Sequence, residues 1–450
     1  MEHPLHRDAT RILADIRSGQ LTAVDLMEAT LDRIAQVNPV VNAVVSLRAA
    51  DALLNEAREA DRTDQKGPLH GLPFAVKDLA NVAGIATSMG STALKGTIPD
   101  TSDIMVQRIQ DAGAIIIGKT NTPEFGLGSH TFNSVFGETQ NAHLHGKSAG
   151  GSSGGAAVAL ATHMVALADG SDMMGSLRNP AGWNGVYGLR PTWGRVPSEP
   201  RGDTYLHQLA TNGPMARTPS DLALLLDVQS GPDSRQPLSR TAQPTLPEIN
   251  AGRSLRLAWL GDWGGAYAME PGVIDTCTAA MSGYDVADIG PPFPAEQLWD
   301  AWITLRSWSV AQNLGPLYTD KSTRNSLKPE AIWEVERGLA LSLVDVERAS
   351  LIRSNWFSIA SKLFEIYDGL VLPTAQCFPF PISWDWPKEI AGRKMDTYHR
   401  WMEVVVPASL IGLPALAVPI PGQHMGLQII GRQDADLQLL QFGLTWHSSL

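Results

Sequence analysis

The chain has 450 residues, of which 44% are hydrophobic and 18% charged, and carries a formal net charge of −11. That composition supplies a large core and excludes wholesale disorder, while an acidic chain without a basic block excludes nucleic acid and anionic membrane as expected partners. Two cysteines, Cys277 and Cys377, cannot build a disulfide framework and fit a reducing compartment.

The opening MEHPLHRDATRILADIRSG is polar and periodic, without the apolar centre of a secretory signal. The longest apolar runs, MVALA and LIGLPALAVPIPG, fall short of the roughly 20 residues that span a bilayer, so a cytoplasmic protein is expected. Residues 8–63 predict helices, with Asp8 and Thr22 as N-caps and Gly19 and Asn38-Pro39 as stops. From 70 to 200 strand-like and helical stretches alternate: PFAVKD, SDIMVQRIQDAG, AIIIGKT, AAVALATHM and MVALADG. This alternation predicts an α/β layered fold. Residues 230–250 are polar and Pro-rich, a domain boundary or a long surface loop. Residues 290–405 are rich in Trp, and PALAVPI, GLQIIGR and DADLQLLQFGLTW close the chain as two strands and a helix.

KSAGGSSGGAAVALA, from Lys147 to Ala161, has the composition of a linker, yet good helix formers begin at once after Gly155. A Gly/Ser turn that opens a helix presents amides and hydroxyls to negative charge. GGSSG within it fits the letter of a nucleophile elbow, but no strand precedes Ser152 and His399, His424 and His447 offer no specific partner. GAIIIGKT, Gly113 to Thr120, fits the letter of a phosphate-binding loop, but Ala114 to Ile117 are strand-like and leave no loop, with Lys119 beyond the strand end. His143 and His145 form an H-x-H pair with no third metal ligand at a telling spacing.

One constellation is specific. Lys77 ends the apolar strand of GLPFAVKDLANVAG, Ser152 sits in AGGSSGG, and Ser176 ends the tight loop of ADGSDMMGSLRNPAG, 24 residues after Ser152. A serine hydroxyl needs a base, and a lysine serves only when burial keeps it neutral. The apolar strand carries the Lys77 stem inward, with Asp78 opposing if it points the same way. Ser152 and Ser153 also suit helix capping. The amides from Met173 to Ser176 could converge on one oxygen as an oxyanion hole.

These residues resemble the amidase signature family of serine hydrolases. The resemblance covers nearly the whole chain and rests on GLPFAVKD, TNTPEFGLGS, SAGGSSGG, GSDMMGSLRNPA and GLRPTWGRVP in that order, then GLPALAVPI and GLQIIGR. It implies a Ser–cis-Ser–Lys triad: Ser176 as acyl nucleophile, Ser152 as proton relay after a cis peptide bond, and Lys77 as base. Met173, Met174, Gly175 and Ser176 would form the oxyanion hole. Ser153, Asp172 and Arg178 would brace the site, and Gly126 would lie near the bound acyl group. No metal or organic cofactor is implied. The implied fold is one domain over 1–450, a large mixed β-sheet between layers of α-helices, with its core at about 70–200. Met174 departs from the family, standing where a glycine is usual, and methionine disfavours φ > 0. Either that position needs no positive φ, or the hole is distorted; Met174 is read as a flexible apolar wall of the acyl pocket, because every triad position is intact.

The expected activity is acyl-enzyme hydrolysis of small aromatic or apolar amides, with carbamate (urethane) and ester hydrolysis alongside, by a monomer or homodimer resembling an aryl acylamidase or urethanase. The Trp-rich region 290–405 is expected to cover the site mouth, its tryptophans either lining substrate or filling core. The alternatives are an amidotransferase-type subunit that needs a partner protein, and a catalytically silent binding protein of the same fold.

Overall fold

The computed structural model describes residues 3–64, 67–250 and 253–450, so positions 1–2, 65–66 and 251–252 of the expected 1–450 span lie outside the described residues. The N-terminal helical stretch resolves into helices Ala9–Arg17, Ala23–Val41 and Ala50–Arg62, with a short strand, Val44–Val45, before the third. Thr22 caps the second helix, its hydroxyl accepting from the Asp25 amide at 2.9 Å. Asp8 holds the N-cap position of the first without a side-chain bond, and Gly19 follows that helix in the left-handed region at φ 74. The Asn38-Pro39 stop is corrected: the second helix runs through Pro39 and ends at Asn42, φ 50. The Asn38 carboxamide oxygen then takes the Ala43 and Val44 amides at 2.8 Å each, which turns the chain into the short strand.

The alternation read from 70 to 200 is present as strand Pro73–Lys77, helix Ile104–Asp111, strand Ile115–Thr120, helix Gly154–Ala161 and strand Leu167–Asp172. Lys119 lies within its strand rather than beyond it, and no loop remains to cradle a phosphate. Ile115–Thr120 pairs antiparallel with Val44–Val45 and parallel with Pro73–Lys77 in a three-stranded sheet. An eight-stranded mixed sheet runs Val286–Asp288, Leu257–Trp259, Gly369–Pro373, Met425–Ile430, Ala415–Ile420, Tyr187–Arg190, Thr211–Ala216, Leu167–Asp172. Its first two pairings are parallel and the rest antiparallel. Strands on both sides of 230–250 share this sheet, so that stretch is a surface connection within it.

Helix Gly154–Ala161 is buried between the two sheets, touching strands of both. Pro219–Gln229 and Asp436–Ser448 pack on the large sheet, and the helices Ala295–Thr319, Pro329–Leu339 and Leu343–Ile366 pack on one another beside it. Strand Pro73–Lys77 lies against Leu167–Asp172 at the edge of the large sheet, where the site is assembled.

Candidate active site

Phe74, Ala75 and Val76 are fully buried, and the strand they form carries Lys77 inward to 1% exposure. Its Nζ donates to Ser152 Oγ at 2.8 Å, Ser153 Oγ at 2.8 Å and Ser171 Oγ at 3.1 Å. An ammonium has three N–H donors, and here all three meet hydroxyls rather than a carboxylate. Burial lowers the Lys77 pKa to about 7, against the upward pull of Asp169 and Asp172. Asp78 does not point at it: its carboxylate accepts from the Ser88 hydroxyl at 2.7 Å and lies 3.9 Å from Lys119. Asp169 accepts the Lys77 backbone amide at 2.9 Å, and burial raises its own pKa to about 6.

The Gly/Ser turn positions its hydroxyls through an irregular backbone. The Gly151–Ser152 peptide bond is cis, and no strand leads into Ser152, so the nucleophile-elbow reading is set aside. Gly150 is left-handed at φ 74, and a Cβ on it would stand 2.4 Å from Asn179 Oδ1. On Gly155 a Cβ would meet the Asn121 amide nitrogen at 2.3 Å, so only glycine lets the helix start here. Ser153 is the N-cap residue of that helix, yet its hydroxyl makes no cap bond and receives Lys77 instead.

Strand Leu167–Asp172 ends in the loop that carries Ser176. Asp172 organises it: the carboxylate accepts the Gly175 amide at 2.8 Å, the Leu177 amide at 3.2 Å and Arg178 Nε and Nη2 at 2.9 and 3.0 Å. Arg190 Nη1 adds a contact at 3.3 Å. Burial alone would raise this carboxyl, but the two guanidiniums and the amides hold it far below the usual carboxylate range. Arg178 continues to the Val405 carbonyl at 3.0 Å, Gln428 Oε1 at 2.5 Å and Ser409 Oγ at 2.6 Å. The positive φ of the loop falls on Gly175, at 78, and not on Met174. The Met174 departure is therefore tolerated by the backbone, and its side chain forms part of a cavity wall. Gly175 does not supply a free oxyanion donor, because its amide is committed to Asp172. The amides of Met174 and Ser176 have no acceptor among the described residues.

Ser176 is 6% exposed and opens, with Ser152, Ser171, Met173, Met174 and Gly126, onto a cavity of roughly 190 Å³. Gly126 has φ 70, and a Cβ there would stand 3.4 Å from Ser152 Oγ and 2.8 Å from Leu79 Cδ1. The remaining wall is largely apolar, from Leu79, Phe125, Leu127, Val310, Leu314 and Met402. The region 290–405 contributes Arg306, Val310, Asn313, Leu314, His399 and Met402 to the cavity and none of its tryptophans. Trp302, Trp356 and Trp401 are instead among the largest fully buried side chains, and Trp384 is half exposed. Tryptophan lining is thus corrected in favour of tryptophan core. His143 bonds the Asn184 carbonyl at 3.0 Å, and no metal-holding group of side chains exists among the described residues.

Several residues at this site escaped the sequence reading. Ser171 and Asp169 share one face of their strand while Asp172 takes the other, a two-residue period that could have found them. Arg306, Val310, Asn313 and Leu314 follow helical spacing, though spacing cannot say what that face meets. His399 carries no pattern at all. Its ring is 2% exposed, and neither ring nitrogen has a partner among the described residues.

The amidase family profile matches residues 25–282 and 303–440. An acylamidase from Rhodococcus erythropolis is 32% identical, with 98% of this chain and 95% of that protein covered. A glutamyl-tRNA(Gln) amidotransferase subunit from Thermus thermophilus is 34% identical over 98% of this chain and 97% of its own length. Among solved structures, a bacterial aryl acylamidase of the amidase signature family superposes with a TM-score of 0.91 at 27% identity, covering 98% of this chain and 96% of that one. No helix among the described residues is long and apolar enough to cross a membrane. With this fold and this arrangement of lysine and serines, the chain belongs to the amidase (amidase signature) family and is an amide C–N hydrolase.

Proposed function

We propose that the protein is a stand-alone serine hydrolase of small amides with an apolar or aromatic acyl group, cleaving through an acyl-enzyme. The observation that carries this reading is Lys77, buried with its Nζ 2.8 Å from Ser152 Oγ, while Ser152 and Ser176 open onto one mostly apolar cavity. Neutral Lys77 takes the Ser152 proton as Ser152 takes that of Ser176. Ser176 Oγ bonds the carbonyl carbon, and the oxyanion rests on the amides of Met174 and Ser176, with Met173 beside them. A donor in such a position contributes roughly 3–4 kcal/mol to the barrier. The proton returns through Ser152 to the leaving amine as the C–N bond breaks, and water then cleaves the acyl ester by the same path. Serine chemistry of this kind also cleaves carbamates and esters. The 450 residues act as one unit, as monomer or homodimer.

A fluorophosphonate probe tests the assignment. One adduct on Ser176, absent from Ser176→Ala, with turnover of aryl amides by the purified chain, supports the stand-alone hydrolase. An adduct without turnover until a partner protein is added would favour the amidotransferase-type reading, which the Thermus relative keeps in view.

A further inference from the structure

A second cavity, of roughly 150 Å³, lies beside the apolar one. Met173, Ala210 and Asn313 line both, so the two meet at the loop that carries Ser176. Ser152, Ser171 and Ser176 open onto the first cavity and not onto the second. The second is polar where the first is apolar, with Ser198, Thr204, Ser309 and Asn313 on its wall. Ser309, on helix Ala295–Thr319, is only 2% exposed, yet its hydroxyl has no hydrogen-bond partner among the described residues and is not shut away from accessible space. The Ser198 and Thr204 hydroxyls are open in the same way, and the Asn313 carboxamide is exposed and equally without a partner among the described residues. The charged groups of this wall are already committed. Arg201 pairs with Asp103 at 2.7 Å, Glu199 accepts the Ile104 amide at 2.9 Å, and Asp203 accepts the Leu206 amide at 2.6 Å. Arg201 and Asp203 are exposed, which puts the mouth of this cavity at the surface.

Resting on the hydrolase reading above, we propose that the second cavity is the leaving-group subsite, where Ser309 and Asn313 bind an amine whose far end carries a neutral hydroxyl or carboxamide. The acyl group stays esterified to Ser176 in the apolar cavity. The amine has to reach solvent, and the polar cavity leads there. The hydroxyl and carboxamide on its wall each donate and accept, so they match a group that does both. Open polar groups bond water until a ligand displaces it, and a group that displaces water without reproducing its bonds loses affinity. A hydroxyl-bearing amine is therefore distinguished from an alkyl amine of the same shape. A charged end gains less, because Glu199, Arg201 and Asp203 already have partners.

The test uses butanoyl anilides that differ only in the para substituent of the amine. These are ω-hydroxyalkyl chains of one to three methylenes, the same chains with methyl in place of hydroxyl, and the same chains with ammonium. Butanoyl p-nitroanilide is the short reference. The readout is the ratio of kcat/KM values, in which a general loss of activity cancels. Wild type is expected to favour the hydroxyl over its alkyl isostere at least about fivefold at one chain length or more. Ser309→Ala should bring that ratio to about one, and Asn313→Leu should lower it, both mainly through KM. Leu238→Trp fills the second cavity from a half-buried wall and should lower kcat/KM for the hydroxyalkyl anilides selectively, relative to the p-nitroanilide. A wild-type ratio near one or below at every length overturns the subsite, as does a Ser309→Ala variant with the wild-type ratio. If Ser309→Ala does not fold, Leu238→Trp decides, and equal losses on long and short amines overturn the assignment. Preference for ammonium over hydroxyl overturns the neutral-group assignment. If no anilide turns over, calorimetric binding of 3-(4-aminophenyl)propan-1-ol against 4-butylaniline to the wild-type protein decides the subsite: tighter alcohol supports it, and equal or weaker alcohol removes it. Absence of a fluorophosphonate adduct counts against the hydrolase reading alone.

Discussion

If Lys77 is the base, the rate must follow its deprotonation. With a pKa lowered to about 7 by burial, kcat/KM should rise tenfold per pH unit below that value and level above it. At pH 5 about 1% of the plateau should remain. The p-nitroanilide assay from pH 5 to 9 measures this directly. Asp169 is one of the charges that pull Lys77 upward, so Asp169→Asn should move the rising limb to lower pH, while its side-chain oxygen can still accept the Lys77 amide. Stability gives an independent reading. In the unfolded chain the lysine titrates near 10.5, so between pH 7 and 10.5 the unfolded state binds the extra proton and native stability rises with pH. Below pH 7 both states are protonated and the cost of burying the charge is present in full. At about 1.4 kcal/mol per pH unit once the native lysine is neutral, and less near its midpoint, wild type should gain about 2 kcal/mol on Lys77→Met between pH 7 and 9 in urea titrations. A flat activity profile, a midpoint near 10, or a stability gap that does not change with pH would refute the argument.

Ser176→Ala should lose hydrolysis by a factor of at least about a thousand and keep the wild-type circular dichroism spectrum. Asp172→Asn strips the charge facing two buried guanidiniums and should cost about 3–5 kcal/mol, read as a lower urea midpoint together with lost activity. Gly126→Ala, at φ 70 and with its methyl crowding Leu79 and Ser152, should lower kcat about tenfold and destabilise by about 1–2 kcal/mol; a silent variant would remove Gly126 from the site. Met174→Gly should keep the nucleophile working and shift preference toward bulkier acyl groups across a series of acyl anilides, because the positive φ of the loop rests on Gly175.

The arrangement of Lys77, Ser152 and Ser176 was legible because each sits in a local context with one economical explanation. An apolar strand delivers a lysine, a glycine turn abuts a helix, and a tight loop follows a strand. The cavity wall was not legible in the same way. Tryptophan reports that burial is favourable but not which neighbour provides it, and Trp299, Trp302, Trp356 and Trp401 went to the core while none of 290–405 reached the cavity. Arg306 and His399 come from segments far apart in the chain, and only tertiary packing makes them one wall. The end of the second helix was missed because proline is read as a breaker, while a last-turn proline sacrifices little and Asn42 closes the helix.

The bracing of Asp172 and Arg178 also bears on when the serine can become reactive. Arg178 is tied to Ser409 and Gln428, which the chain supplies 231 and 250 residues later. During synthesis the nucleophile loop therefore emerges long before the groups that fix it, and these late contacts carry the loop-closure entropy of distant pairing. If Ser176 is the nucleophile, the nascent chain should expose no competent acylating serine until the last strands, Ala415–Ile420 and Met425–Ile430, have joined the sheet. On that assignment activity should report completed folding: truncation just before Ala415 removes Gln428 from the bracing of the loop and is expected to silence a serine that lies far away in the sequence.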